Sequence, residues 1–141
     1  MGRFPQLVMA AILVTACARE SVQQTAVVTA GIAAVERGTP VTTIVLANGL
    51  PEEVQQAARQ VRPTVAERDL PPSPKWELPP GHFVLKAVEV SRSSAKVVGL
   101  MGPVPVLPPG VGRLSCGTHH SVNLHRKAGR WEVGETELVV C

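Results

Sequence analysis

The chain has 141 residues, of which 45% are hydrophobic and 18% charged, with a formal net charge of +3 and three cysteines. That is too apolar and too weakly charged for a disordered chain, and the length suits one domain, or one domain behind a leader. The cysteines are too few for a disulfide mini-protein and lack the paired spacing of a structural zinc site, and the scattered Lys and Arg leave no electrostatic footprint for nucleic acid. With two Phe, two Trp, no Tyr and 23 Val, the core must be aliphatic and β-branched, which favours strands. Sugar clefts and single-strand nucleic-acid platforms need exposed aromatics that this chain cannot spare.

In chain order, the first segment is a leader. Arg3 is the only charge before Arg19, and between them runs an apolar stretch from Leu7 to Ala16. As a helix it spans about 15 Å, half of what a bilayer core requires. A short positive start, a short apolar run and a small-residue exit describe a secretory signal over residues 1–16. The exit, Val14-Thr15-Ala16-Cys17, resembles the bacterial lipobox. The resemblance implies a lipoprotein: Cys17 Sγ receives a diacylglycerol, cleavage precedes Cys17, and the freed amine is itself acylated. Two or three acyl chains, at about 0.8 kcal/mol per buried CH₂, anchor a protein stably. Position 18 is Ala rather than the Asp of inner-membrane retention, which implies the outer membrane, facing the periplasm. The alternative is an ordinary signal peptide cut near Ala16, with Cys17 incidental.

Residues 17–24 read as a polar tether and 25–141 as a single α+β domain. Val22 to Arg37 is compatible with a helix stopped by Gly38, although Val27-Val28 speak mildly against it. Val41 to Ala47 is a short buried strand. Pro51-Glu52-Glu53 opens a second helix, since proline is preset for the first turn and the carboxylates suit the positive end of the dipole; it stops before Pro63. Arg68 to Gly81 holds five prolines with Trp76 in its midst, which reads as a stiff loop with the indole packed down. Its Pro71-Pro72-Ser73-Pro74 match to an SH3 ligand finds no cytosolic reader in an exported protein.

From His82 the period becomes two, giving a strand with Phe83, Leu85 and Ala87 alternating against Val84, Lys86 and Val88. A return strand covers Lys96–Leu100, and a second proline loop follows from Gly102. Leu114–Arg126 and Arg130–Cys141 are two more strands. The fold class is α+β: two short helices with a short strand, then a four-strand antiparallel meander.

Ala128-Gly129 is the tip of the last hairpin. With those two as loop residues, Lys127 faces Arg130, Leu124 faces Val133, and the same count sets Cys116 opposite Cys141. Opposed residues lie within disulfide reach, and an exported protein meets an oxidising compartment. A Cys116–Cys141 bridge closing about 25 residues is worth roughly 3 kcal/mol. This register puts Val122, Leu124, Trp131, Val133 and Val139 on the core face, but brings Glu135, Glu137 and His120 with them. A bulge near Gly134 would instead turn Thr136, Leu138 and Val140 inward and slide Cys141 out of opposition. Both registers stay open.

Ser94-Ala95-Lys96-Val97-Val98 and Leu124-His125-Arg126-Lys127-Ala128-Gly129-Arg130-Trp131-Glu132-Val133 resemble the closing strands of small bacterial envelope proteins, some of them NTF2-like. The resemblance implies a curved sheet around a cone-shaped pocket; no site residue is carried over from it.

The only metal-capable cluster is Cys116, His119, His120 and His125, suited to a soft metal such as copper. On a strand His119 and His125 share a face about 20 Å apart, with Cys116 and His120 on the other. The plainer reading is a disulfide with solvent-facing histidines. Cys116 as a nucleophile fails if it is oxidised. Asp69 is the only Asp, and neither Ser115 nor Ser121 sits in a GxSxG elbow. Arg59, Arg62 and Arg68 would suit an anionic headgroup, or simply a solvated helix end. No motif implies a cofactor. The chain thus reads as a non-enzymatic envelope lipoprotein that meets the membrane through its lipid and binds a protein partner or small ligand; the alternative is a periplasmic metal-binding protein using His119, His120 and His125.

Overall fold

The structure, a computed structural model, describes residues 4–70, 78–102 and 117–140, with side chains from residue 19 onward. The elements in order are α1 (Phe4–Val35), β1 (Thr43–Leu46), α2 (Glu52–Val61), β2 (Thr64–Ala66), a 3-10 turn (Glu67–Asp69), β3 (His82–Val90), β4 (Ser94–Met101), β5 (Thr118–Lys127) and β6 (Arg130–Val140). The α+β class is as expected. The sheet, however, has six strands in the order β2-β1-β3-β4-β5-β6 and is mixed. The antiparallel meander β3 to β6 is present, and β1 extends it by pairing parallel to both β3 and β2. The three-residue β2, directly after Pro63, is too short to show as a period.

α1 is a single helix of 32 residues rather than a short one, continuous through the stretch read as a tether. Its buried positions are Val27, Val28, Gly31, Ile32 and Val35, which from Val28 follow the i, i+3, i+4, i+7 stripe of a helix lying on a sheet. Val27 and Val28 are both fully buried because that stripe is wide enough to take adjacent residues. α1 crosses β3, β4, β5 and β6 and packs beside α2. It approaches the sheet tightly at Gly31, where a Cβ would stand 2.7 Å from Val97 Cγ2, so a glycine here lets the helix settle on β4. α2 begins after Pro51 with Glu52 and Glu53 in its first turn and buries Val54, Ala57 and Ala58.

Val97 marks the helix-covered face. Alternation puts Ala95, Gly99 and Met101 with it, and pairing adds Val122 and Leu124 from β5. In β3 a bulge between Leu85 and Ala87 switches the alternation, so Phe83 and Leu85 before it and Val88 and Val90 after it face the helices together. At the β1 end the core is two-sided: Ile44, Val45, Val84 and Leu100 are all buried. β1 is parallel to both of its neighbours and has the two-faced burial usual for parallel strands.

The last hairpin turns at Ala128 and Gly129, both with positive φ (51° and 76°), the pattern of a two-residue I′ turn. Lys127 faces Arg130 and Leu124 faces Val133, but Val122 faces Thr136 and Thr118 faces Val140. Gly134 and Glu135 therefore stand against Asn123 alone: the bulge is formed, and the register beyond it moves by one. The count that opposed Cys116 to Cys141 stops at this bulge, and both cysteines lie outside the described residues, as does Trp76. Val139 falls on the face away from the helices, while Trp131 is half-buried against the core.

Candidate functional site

β5 carries all three candidate histidines, but its alternation divides them. His120 faces the helices. Its ring meets Phe83 edge-on, with centroids 6.2 Å apart and an interplanar angle of 67°. The Phe83 ring occupies the space over Gly99, the residue paired with His120, where any Cβ would overlap it. Burial against this apolar surface lowers the pKa of His120 from its usual 6.5, and neighbouring His119 adds to the effect. The surroundings of His120 thus disfavour its charged form.

His119 and His125 lie on the other face. His125 Nε2 stands 3.9 Å from Glu132 Oε2, both side chains half exposed. The ring rests over Gly134, where a Cβ would come within 3.0 Å of Nδ1. Six residues of strand hold His119 about 20 Å from His125. The three imidazoles therefore do not converge, and among the described residues no three His, Cys, Asp or Glu side chains form a metal-holding group. Cys17 falls within α1, and its side chain lies outside the described ones. No helix among the described residues is long and apolar enough to cross a membrane.

Two of the three arginines suggested for an anionic ligand are engaged within the protein. Arg62 Nε donates to Val41 O (3.2 Å), Nη1 to Val61 O (2.8 Å) and Nη2 to Glu36 Oε1 (2.8 Å), which ties the ends of both helices to the entry of β1. Arg59 binds Glu52 Oε1 at 3.2 Å and Gln55 Oε1 at 3.3 Å along its own helix.

The surface that stands out was not singled out from sequence. β6 is the terminal strand of the sheet, eleven residues long. From Gly134 onward every residue is exposed. Leu138 (56%), Val139 (54%) and Val140 (68%) are three of the four exposed large hydrophobics among the described residues. Beyond the bulge Leu138 and Val140 do turn to the helix side, as the second register expected, yet α1 does not cover them. Among the described residues Glu135 and Glu137 have no hydrogen-bond or ion-pair partner. The result is an open strand edge with aliphatic groups on both faces and uncompensated carboxylates beside them.

No family model, curated protein or solved structure matches the chain.

Proposed function

We propose that this is a lipid-anchored binding protein of the cell envelope, without enzymatic activity, that engages a protein partner through its α+β domain. Anchoring rests on Val14-Thr15-Ala16-Cys17 placed after a short apolar run. An acylated Cys17 holds the chain at the outer membrane, the domain facing the periplasm. The observation that carries the binding reading is the β6 edge, eleven residues long with three exposed aliphatics, on a sheet whose other edge strand has only three half-buried residues. Exposed aliphatic side chains gathered at the end of an open strand edge suit a contact surface. The divided histidines disfavour a three-imidazole metal centre, so the partner-binding reading leads.

The test is fractionation with crosslinking. Cys17→Ser is expected to move the protein from the membrane fraction to the soluble one; unchanged fractionation removes the anchor. Crosslinking in envelope membranes is expected to give a defined adduct that Leu138→Lys abolishes. An adduct indifferent to that change would place partner binding elsewhere.

A further inference from the structure

We propose that the free edge of β6 takes up an extended segment of another protein as a seventh strand, and that this segment alternates basic with aliphatic residues. The inference rests on the partner-binding reading above and names the partner's chemistry.

Strand addition needs a row of unpaired backbone groups of useful length. β5 occupies one edge of β6, and among the described residues no strand occupies the other. Its eleven residues extend over about 36 Å at 3.3 Å each. The opposite edge of the sheet, β2, offers only three residues, all half-buried. The two edges are thus unequal, and β6 is the one with room for a partner.

Edge strands are ordinarily blunted by charges, prolines, bulges or a covering element. Here the bulge at Gly134 and Glu135 disrupts the middle of β6, and Leu138, Val139 and Val140 beyond it stay more than half exposed. An added strand would bury Leu138 and Val140 on the helix side and Val139 on the other, recovering apolar area that folding leaves in water.

Charge selects the occupant. Residues 131–140 contain Glu132, Glu135 and Glu137 and no Lys or Arg. Glu137 shares its face with Val139, so a cation on the incoming strand would meet Glu137 while its neighbours pack on the aliphatics. Opposite charges across a strand pair attract, and like charges repel. A second copy of this chain, pairing along residues 131–140, brings further carboxylates, and the one cation of its β6, Arg130, lies at the hairpin end of the strand. It therefore fits this edge less well than a basic segment does.

The test uses the full chain in detergent and two fluorescein-labelled octapeptides, one alternating lysine with valine and the other glutamate with valine, read by fluorescence anisotropy. The lysine peptide is expected to bind and the glutamate peptide not. Glu135→Lys combined with Glu137→Lys is expected to weaken the lysine peptide about tenfold and to create binding of the glutamate peptide. Circular dichroism of the double variant establishes that it is folded. No binding of either peptide to the folded wild-type chain, or equal binding of both, overturns the inference, as does binding unaffected by the double substitution. A concentration-dependent dimer in sedimentation that blocks the lysine peptide would make a second copy the occupant and overturn it too. A chain that binds neither peptide yet still forms a defined adduct in the envelope keeps its partner-binding role and loses only this edge.

Discussion

Two aliphatic triplets of nearly the same chemistry meet opposite fates. Ile44-Val45-Leu46 in β1 is buried, the first two at 0% exposure, whereas Leu138-Val139-Val140 in β6 is more than half exposed throughout. Neither side-chain type nor local conformation separates them, because both are extended strands. Position in the sheet does. β1 lies between β2 and β3 on a two-sided core, while β6 has a single neighbour, and its last three described residues stay exposed although α1 crosses that strand. A buried aliphatic side chain contributes about 1.5–3 kcal/mol relative to an exposed one. Folding realises that gain at β1 and leaves it unrealised at β6, where a second molecule can collect it.

The largest expected effect tests this contrast directly. Ile44→Ala should lower stability by about 3–5 kcal/mol, since its site is fully buried and flanked by strands that cannot collapse inward. Leu138→Ala should change it by no more than about 0.5 kcal/mol. Urea unfolding midpoints with unchanged slopes provide the measurement. Similar losses at the two sites would mean that the β6 end is covered in solution, and the contrast would fail.

A smaller effect probes what covers the buried half. Helix propensity alone favours Gly31→Ala by about 1 kcal/mol. The added methyl, however, would lie within 3.0 Å of all three branch carbons of Val97, itself 1% exposed. Overpacking of this kind costs about 1–3 kcal/mol, so the net change is expected to be a loss. Val97→Ala opens the space the methyl needs. The double variant should therefore lose less than the two single variants together, with a coupling above about 0.5 kcal/mol. Simple additivity would mean that α1 does not rest on β4 at this glycine.

Local chemistry was legible in the sequence; placement in the sheet was not. Pro51 with Glu52 and Glu53 announces α2, and Ala128-Gly129 announces the last turn, because the physics of a helix start or a tight hairpin lies within a few residues. The alternation of β3 misleads past Lys86, since a bulge reverses which residues face in without leaving a composition signal. The bulge at Gly134 was only the alternative to an uninterrupted register, raised by the unwelcome inward Glu135 and Glu137 of the latter. The parallel pairing of β1 with β2 and β3 is a long-range event, invisible in three- and four-residue segments. The candidate site depends wholly on such placement. Alternation did separate His120 from His119 and His125, but nothing in Leu138-Val139-Val140 announces an uncovered edge.

The smallest effect lies in the open hairpin and acts through backbone rather than packing. Ala128 holds φ at 51°, and no polar group in its side chain offsets the cost of that conformation. A left-handed backbone costs an ordinary L-residue about 1–2 kcal/mol, whereas asparagine adopts it readily and is favoured at this position of I′ turns. Ala128→Asn is therefore expected to raise stability by about 0.5–1 kcal/mol, seen as a higher urea midpoint at constant slope. Residues Arg126 to Arg130 are exposed, so the substitution disturbs no packed neighbour. The gain should be additive with Ile44→Ala, which acts at the far end of the sheet. If the asparagine variant gains nothing, the tip does not hold the left-handed conformation in solution, and the count that places Gly134 opposite Asn123, and with it the outward display of Leu138 and Val140, loses its anchor.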